Sequence, residues 1–233
     1  MEKVICLLWS ESGEAREAYN RRLLADLPLA LRAAGAQHIR INIEDMITDQ
    51  GSALRQSRGE PQHQATVQYW LPSANAIFRI DVDTAIAQHC GHFAAYLVVE
   101  STIIPNEAHQ PAIGERNWGW AQMAFLTRPQ ALPYDEWLAI WQDRHTRVAI
   151  DTQSNFEYVQ NLVVRALTPD APPYAAIVEE CFPESALSDP YVFFDAVGDQ
   201  KKFDANLAAM MESCDRFIER GTIDVIPTAQ YNF

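Results

Sequence analysis

Lysine is scarce in this 233-residue sequence: only Lys3, Lys201 and Lys202 occur. None follows a glycine-rich run, so a phosphate-cradling P-loop is excluded. A Schiff-base lysine has to be desolvated, and these three stand among charged or terminal residues, which argues against one. Cysteine is limited to Cys6, Cys90, Cys181 and Cys214, with no C-x-x-C pair. Such thiols read as reduced core residues of a cytoplasmic protein rather than as a disulfide framework. The sequence has no G-x-S-x-G, H-E-x-x-H or G-x-G-x-x-G, so hydrolase, zinc-protease and dinucleotide readings lack their marks. No apolar run approaches the ~20 residues of a membrane span. The run from Val4 to Trp9 is too short for a signal peptide and is followed at once by Glu11 and Glu14. Basic residues are outnumbered 18 to 31, for a formal net charge of −13. Residues 1–115 carry −5 and residues 116–233 carry −8, so both halves are acidic. Nucleic acid and anionic membranes, held by clustered Lys and Arg, are therefore not expected as partners. The charge reads as solubility.

What is present has the make-up of an ordinary globular protein, 48% hydrophobic and 21% charged. Val4-Ile5-Cys6-Leu7-Leu8-Trp9 reads as a strand. A helix is predicted over 13–34, with Tyr19, Leu23, Leu27 and Leu31 at four-residue spacing and Gly35 as its C-terminal cap. Ile39-Arg40-Ile41-Asn42-Ile43-Glu44 alternates strictly and is the cleanest strand signal. The pattern returns after Arg116. A strand is expected over 120–126, then a helix over 134–152 with Trp137, Trp141, His145 and Ala149 on one stripe. Another strand follows over 156–165. Each half then offers a third strand (66–71 and 174–182), a second helix (84–92 and 203–220) and a closing strand (95–104 and 222–229).

The order strand–helix–strand–strand–helix–strand thus occurs twice. It is the ferredoxin-like unit, and the predicted fold class is α+β, with two such repeats closing a dimeric-α+β-barrel-like fold within one chain. Residues 1–105 form the first repeat, 106–117 a linker and 118–233 the second. Sheet packed on sheet is expected to leave a cavity between the two. The polar stretch 45–65 reads as a mobile loop.

Three segments of the second half carry a family resemblance: Tyr134-Asp135-Glu136-Trp137, Trp141-Gln142-Asp143-Arg144-His145 and Tyr158-Val159-Gln160-Asn161. Together they resemble the signature of EthD-domain proteins, in which the first helix carries Trp-x-x-x-His and the second strand begins near Tyr-x-Gln-Asn. The resemblance covers most of 120–230 and implies the dimeric α+β barrel superfamily. The first half resembles the domain in outline only: its position matching His145 falls at Leu23-Leu24, so one functional site per chain is expected. The resemblance also implies a cofactor-free enzyme acting on a small apolar or aromatic compound in oxidative catabolism, with His145 as acid/base and no metal. The alternatives are a non-catalytic binding or accessory protein for a neighbouring oxygenase, and a cyclase- or dehydratase-type lyase. Haem, which some barrels of the superfamily bind through a histidine, is not expected here. A homodimer is the assembly the family implies.

Among individual residues, His145 shares a helical face with Trp141 and titrates near neutral pH when unperturbed. As a structural residue it would simply face the core. A helix on the outer face of its sheet reaches a cavity between the sheets only from its end, which weighs against catalysis by His145. Tyr158 and Asn161, expected to contact substrate, fall on opposite faces of one strand by period-2 counting. Glu180 is a further substrate-binding candidate: one of Glu179 and Glu180 must face inward, where a buried carboxyl would have a raised pKa. His89-Cys90-Gly91-His92 has a spacing a metal could use, but no third ligand matches it.

Overall fold

The computed structural model describes residues 1–233. The first half consists of β1 (Glu2–Trp9), α1 (Arg16–Ala33), β2 (Gln37–Ile43), a 3-10 turn (Thr48–Leu54), β3 (Ala65–Leu71), α2 (Ala76–Ala87) and β4 (His92–Ile104). The second half opens with β5 (Trp120–Leu126). A continuous helical arm follows, made of α3 (Tyr134–Leu138), a π-helical segment (Ala139–His145) and α4 (Thr146–Thr152). Then come β6 (Glu157–Ala166), β7 (Ala176–Phe182), a 3-10 turn (Glu184–Leu187), α5 (Pro190–Phe193), α6 (Gln200–Asp215) and β8 (Asp224–Asn232). No helix is long and apolar enough to cross a membrane.

All eight strands pair antiparallel in one closed barrel, in the order β1-β3-β2-β8-β5-β7-β6-β4. Each half contributes four neighbouring strands, β4-β1-β3-β2 and β8-β5-β7-β6, and closure comes from the β2–β8 and β4–β6 ladders. Because side chains alternate along a strand, every strand offers one face to the lumen and one to the helices outside. In the first half the helix-side face is solid. Val4, Cys6, Leu8, Ile41, Val67 and Tyr69 meet Tyr19, Leu23, Leu27 and Leu31 of α1 in a core cluster of 22 buried residues. Gly35, at φ 91°, ends α1 as predicted, where a residue with a Cβ would be strained.

Several expectations need correction. The second helix of the first half lies at Ala76–Ala87, not 84–92, and His92 opens β4. α6 ends at Asp215 rather than 220. The stretch 45–65 is tied down: Gln56 and Val225 exchange two backbone hydrogen bonds, Arg16 grips Asp49 with two, and Arg55 pairs with Glu44. Lys3, read as a terminal residue, is desolvated in the lumen at 4% exposure, donating to Glu100 (2.6 Å) and Asn161 (2.8 Å). The lumen is filled except for a smaller polar cavity at one end. One end packs Ile5, Leu7, Tyr96, Met123, Phe125 and Ile177, and the other holds a polar network centred on Glu179.

Candidate functional site

The large apolar cavity is not between the two sheets, as the sequence suggested, but between the second half's sheet and its own helices. It measures about 700 Å³, and 18 of the 26 residues lining it are hydrophobic. Its floor is a row across three neighbouring strands. Gln122 of β5 stands opposite Glu180 of β7, which stands opposite Tyr158 of β6. One pleat away, Ala124 pairs with Val178, and these small side chains leave the space open. The helical arm supplies Trp141 and His145 from above, α6 supplies Met210 and Cys214, and Phe193 and Phe194 close one side. The mouth carries Gln50, Leu54 and Gln56, so the turn of the first half reaches over the second half's cavity.

This placement removes the geometric objection to His145, since a helix above the sheet faces this cavity directly. In the π-helical segment the turn is widened, and the Thr146 amide bonds the Trp141 carbonyl five residues back. Such widened turns are frequent at functional sites. Of the residues singled out from the sequence, Trp141, His145, Tyr158 and Glu180 all line the cavity. Asn161 does not. It is wholly buried on the lumen face, where it accepts from Lys3 and donates to the Ile177 carbonyl, as its odd spacing from Tyr158 requires. Glu179 is likewise on the lumen face. Both carboxylates of the pair are buried, because β7 is an inner strand flanked by β5 and β6 rather than an edge.

Glu180 is the only Asp, Glu, Lys or Arg on the cavity wall. Burial pushes its carboxyl up to about 7, partly offset by donors from Asn155 (3.1 Å) and Gln122 (3.3 Å). It therefore exchanges a proton near neutral pH. His145 is shifted down to about 4 by burial, so its imidazole is neutral at pH 7. Its Nδ1 lies 2.9 Å from Ser213 Oγ, and its ring is 4.6 Å from that of Phe217. Tyr158 Oη accepts from Gln160 Nε2 at 2.8 Å, and burial raises its pKa above the ordinary value. Cys214 is pushed up to about 12, which keeps it a thiol and a poor nucleophile. Two buried polar atoms of wall residues have no partner, the donor Trp141 Nε1 and the acceptor Gln153 Oε1.

Sequence reasoning missed Gln122, Asn155, Gln153 and Ser213, and it gave the mouth residues no role. The strand pattern carried a signal for Gln122, because a polar residue at the second inner position of an otherwise apolar strand has to find a partner. No group of three or more His, Cys, Asp and Glu is placed to hold a metal. The His89 ring is engaged with the Ala85 carbonyl at 2.7 Å.

No protein-family profile matches the chain, and no curated protein matches it. The fold does have counterparts among solved structures. One described as an anthrone oxidase-like protein superposes with a TM-score of 0.56 at 10% identity, covering 99% of this chain and 92% of the other. Another, from Lactobacillus acidophilus NCFM and provisionally described as a monooxygenase, gives a TM-score of 0.49 at 9% identity, covering 98% and 93%. At such identities the likeness concerns the fold alone, a closed eight-stranded antiparallel barrel with helices packed outside it.

Proposed function

We propose that this chain is an EthD-like enzyme of oxidative catabolism that removes a proton from a small, uncharged, largely apolar or aromatic compound held beneath the helices of its second half. In this reading residues 1–105 and 118–233 are two ferredoxin-like repeats joined by 106–117, with one site per chain. The observation that carries it is a lone carboxyl, Glu180, poised near neutrality on the wall of a large apolar cavity. A general base works best when its pKa lies near the operating pH. Glu180 therefore takes the role of base that the sequence assigned to His145, whose neutral ring at about 4 is the weaker base.

The step is a transfer of an acidic C–H proton to a Glu180 oxygen, while the electron pair moves onto a neighbouring carbonyl oxygen of the substrate as an enolate. When Ser213 Oγ–H is donated to His145 Nδ1, the neutral ring carries its proton on Nε2 and offers it to that oxyanion. Trp141 Nε1 supplies a second donor without a competing partner. The absence of any basic residue on the wall disfavours carboxylate and phosphate substrates, which would meet Glu180 with no counter-charge. The carbanion can then react with dioxygen directly or expel a leaving hydroxide, without a bound cofactor in either step.

The structural neighbour's description suggests the first compound to test. Anthrone is a neutral tricyclic ketone with an acidic methylene, and its oxidation converts CH2 and O2 into C=O and H2O. Dioxygen uptake and exchange of the methylene hydrogens with deuterium oxide are the readouts. Glu180→Gln is expected to lower both by about 10²–10⁴-fold. Binding with neither exchange nor uptake in the unaltered protein would favour the accessory role instead.

A further inference from the structure

The barrel lumen holds a second cavity that the proposed chemistry does not use. It has a volume of about 440 Å³ and opens at the end of the barrel where the segment after β4 crosses, with Pro105, Asn106, Gln110 and Pro111 at its rim. Its wall has only 4 hydrophobic residues among 16. It is separated from the first cavity by the sheet, since Lys3, Arg40, Gln68 and Glu157 project to the lumen while Glu180 projects to the helices.

The lumen charges do not balance. Lys3 pairs with Glu100 at 2.6 Å. Arg40 is shared by two buried carboxylates, Glu157 and Glu179, each at 2.8 Å through the same nitrogen, Nη1. Glu179 is satisfied by four donors, from Arg40, Asn42, Gln68 and Gln230. Of the two carboxylates on Arg40, Glu157 lines the cavity, together with Glu100, which is paired with Lys3. Two groups remain unused. Gln68 Oε1 is a buried acceptor with no donor, in a residue that is itself wholly buried. Arg40 uses Nε and Nη1 and makes no hydrogen bond to the protein through Nη2. One side of the mouth is aromatic, formed by Trp70 with the His38 ring set against its edge.

We propose that this lumen cavity binds a small organic ammonium that also carries a hydroxyl or carbonyl oxygen. The ammonium donates to Gln68 Oε1 and neutralises the excess carboxylate at Glu157, the oxygen accepts from Arg40 Nη2, and Trp70 covers the alkyl part. An ordinary metal ion fits less well, since no three His, Cys, Asp or Glu residues converge there. An anion would add to a charge already in excess.

The test uses ethanolamine as the probe, with acetate, ethylene glycol and sodium chloride as comparators, in titration calorimetry on the full chain at pH 7. Saturable one-to-one binding of ethanolamine alone is expected. Glu157→Gln keeps the size of the side chain while removing the excess charge, and is expected to weaken binding at least tenfold. Trp70→Leu, at the half-buried mouth, is expected to weaken it less and serves if the first variant fails to fold. Glu180→Gln should leave ethanolamine binding unchanged, which separates this site from the apolar cavity. Absence of ethanolamine binding, equal binding of acetate or sodium, or full binding by Glu157→Gln would overturn the proposal.

Discussion

Glu180→Gln offers a test of the site that needs no substrate. A carboxyl with an ordinary value of 4.5 that is raised to about 7 in the folded chain keeps its proton across a window in which the unfolded chain has released it. At pH 4 both states are mostly protonated and the group contributes little to pH dependence. From about 4.5 to 7 the folded state binds more protons than the unfolded one, so stability falls as pH rises, and above 7 the whole loss is present. At about 1.4 kcal/mol per tenfold change in proton affinity, wild-type stability drops by about 3 kcal/mol from this group alone between pH 4 and pH 8. For a chain of this length that corresponds to roughly 6–12 °C in Tm. Glutamine does not titrate, so the variant lacks this slope. It also loses one acceptor oxygen, and either Asn155 or Gln122 must turn its amide to compensate, an offset that is the same at every pH. Urea unfolding of both proteins at several pH values from 4 to 8 gives the difference directly. A difference between the two profiles that stays constant within about 0.5 kcal/mol from pH 4 to 8 would mean that the Glu180 carboxyl titrates normally and would remove the basis for its role as base.

Other consequences follow from the same geometry. With a substrate in hand, kcat/KM should rise with pH to a plateau through an apparent pKa near 7, that of Glu180, with no limb from His145 above pH 5, because the imidazole is already neutral there. Ala124→Trp fills the floor of the cavity. It is expected to abolish binding of a neutral aromatic such as 1-naphthol, read by calorimetry, at a stability cost of about 1–3 kcal/mol. Asn161→Ala should leave 1-naphthol affinity unchanged because that side chain lies across the sheet, whereas Tyr158→Phe on the cavity face should weaken turnover. Glu179→Ala leaves Arg40 and three amides without their shared acceptor, and a loss of about 3–5 kcal/mol in denaturant unfolding is expected.

Much of the strand framework was legible because period-2 alternation is a local property. It puts Tyr158 and Asn161 on opposite faces and forces Glu179 and Glu180 apart. What failed was set by tertiary contacts. α2 starts earlier than the pattern predicts, because its first five residues include Ile77, Phe78 and Ile80, which are 60–73% exposed, while its buried face includes Arg79. Its inward apolar stripe, Val82, Ala85 and Ile86, is confined to the second half of the helix and so does not mark where the helix begins. The turn Thr48–Leu54 has no periodicity, and ion pairs and a bridge to β8 hold it over the cavity. The widened turn around Trp141 leaves no mark in a four-residue spacing, since both α and π geometry keep Trp141 and His145 near one face. The decisive unknown was which side of the sheet would be hollow, and pattern along one strand cannot answer that.

The two halves answer it when set side by side. They share a strand order, so equivalent helix-side positions can be compared. Where the first half places Val4, Cys6 and Leu8 on its opening strand, the second places Gln122, Ala124 and Leu126. Where the first half has Val67 and Tyr69, the second has Val178 and Glu180. Ile41 gives way to Gln160, which turns its amide to Tyr158 and Thr146. Above these positions, α1 lowers Leu23 and Leu27 into the sheet, whereas His145 on the widened arm engages Ser213 and Phe217. The first half thereby fills its space with apolar volume and gains a rigid core. The second half gives up that packing, and a cavity of this size costs stability in proportion to the volume left open. A buried carboxyl raised toward neutrality adds a further cost. Stability forgone in one half of a near-symmetric frame and retained in the other is what the proposed function requires, with the ligand in the hollow half and the packed half as the scaffold that holds its strands in register.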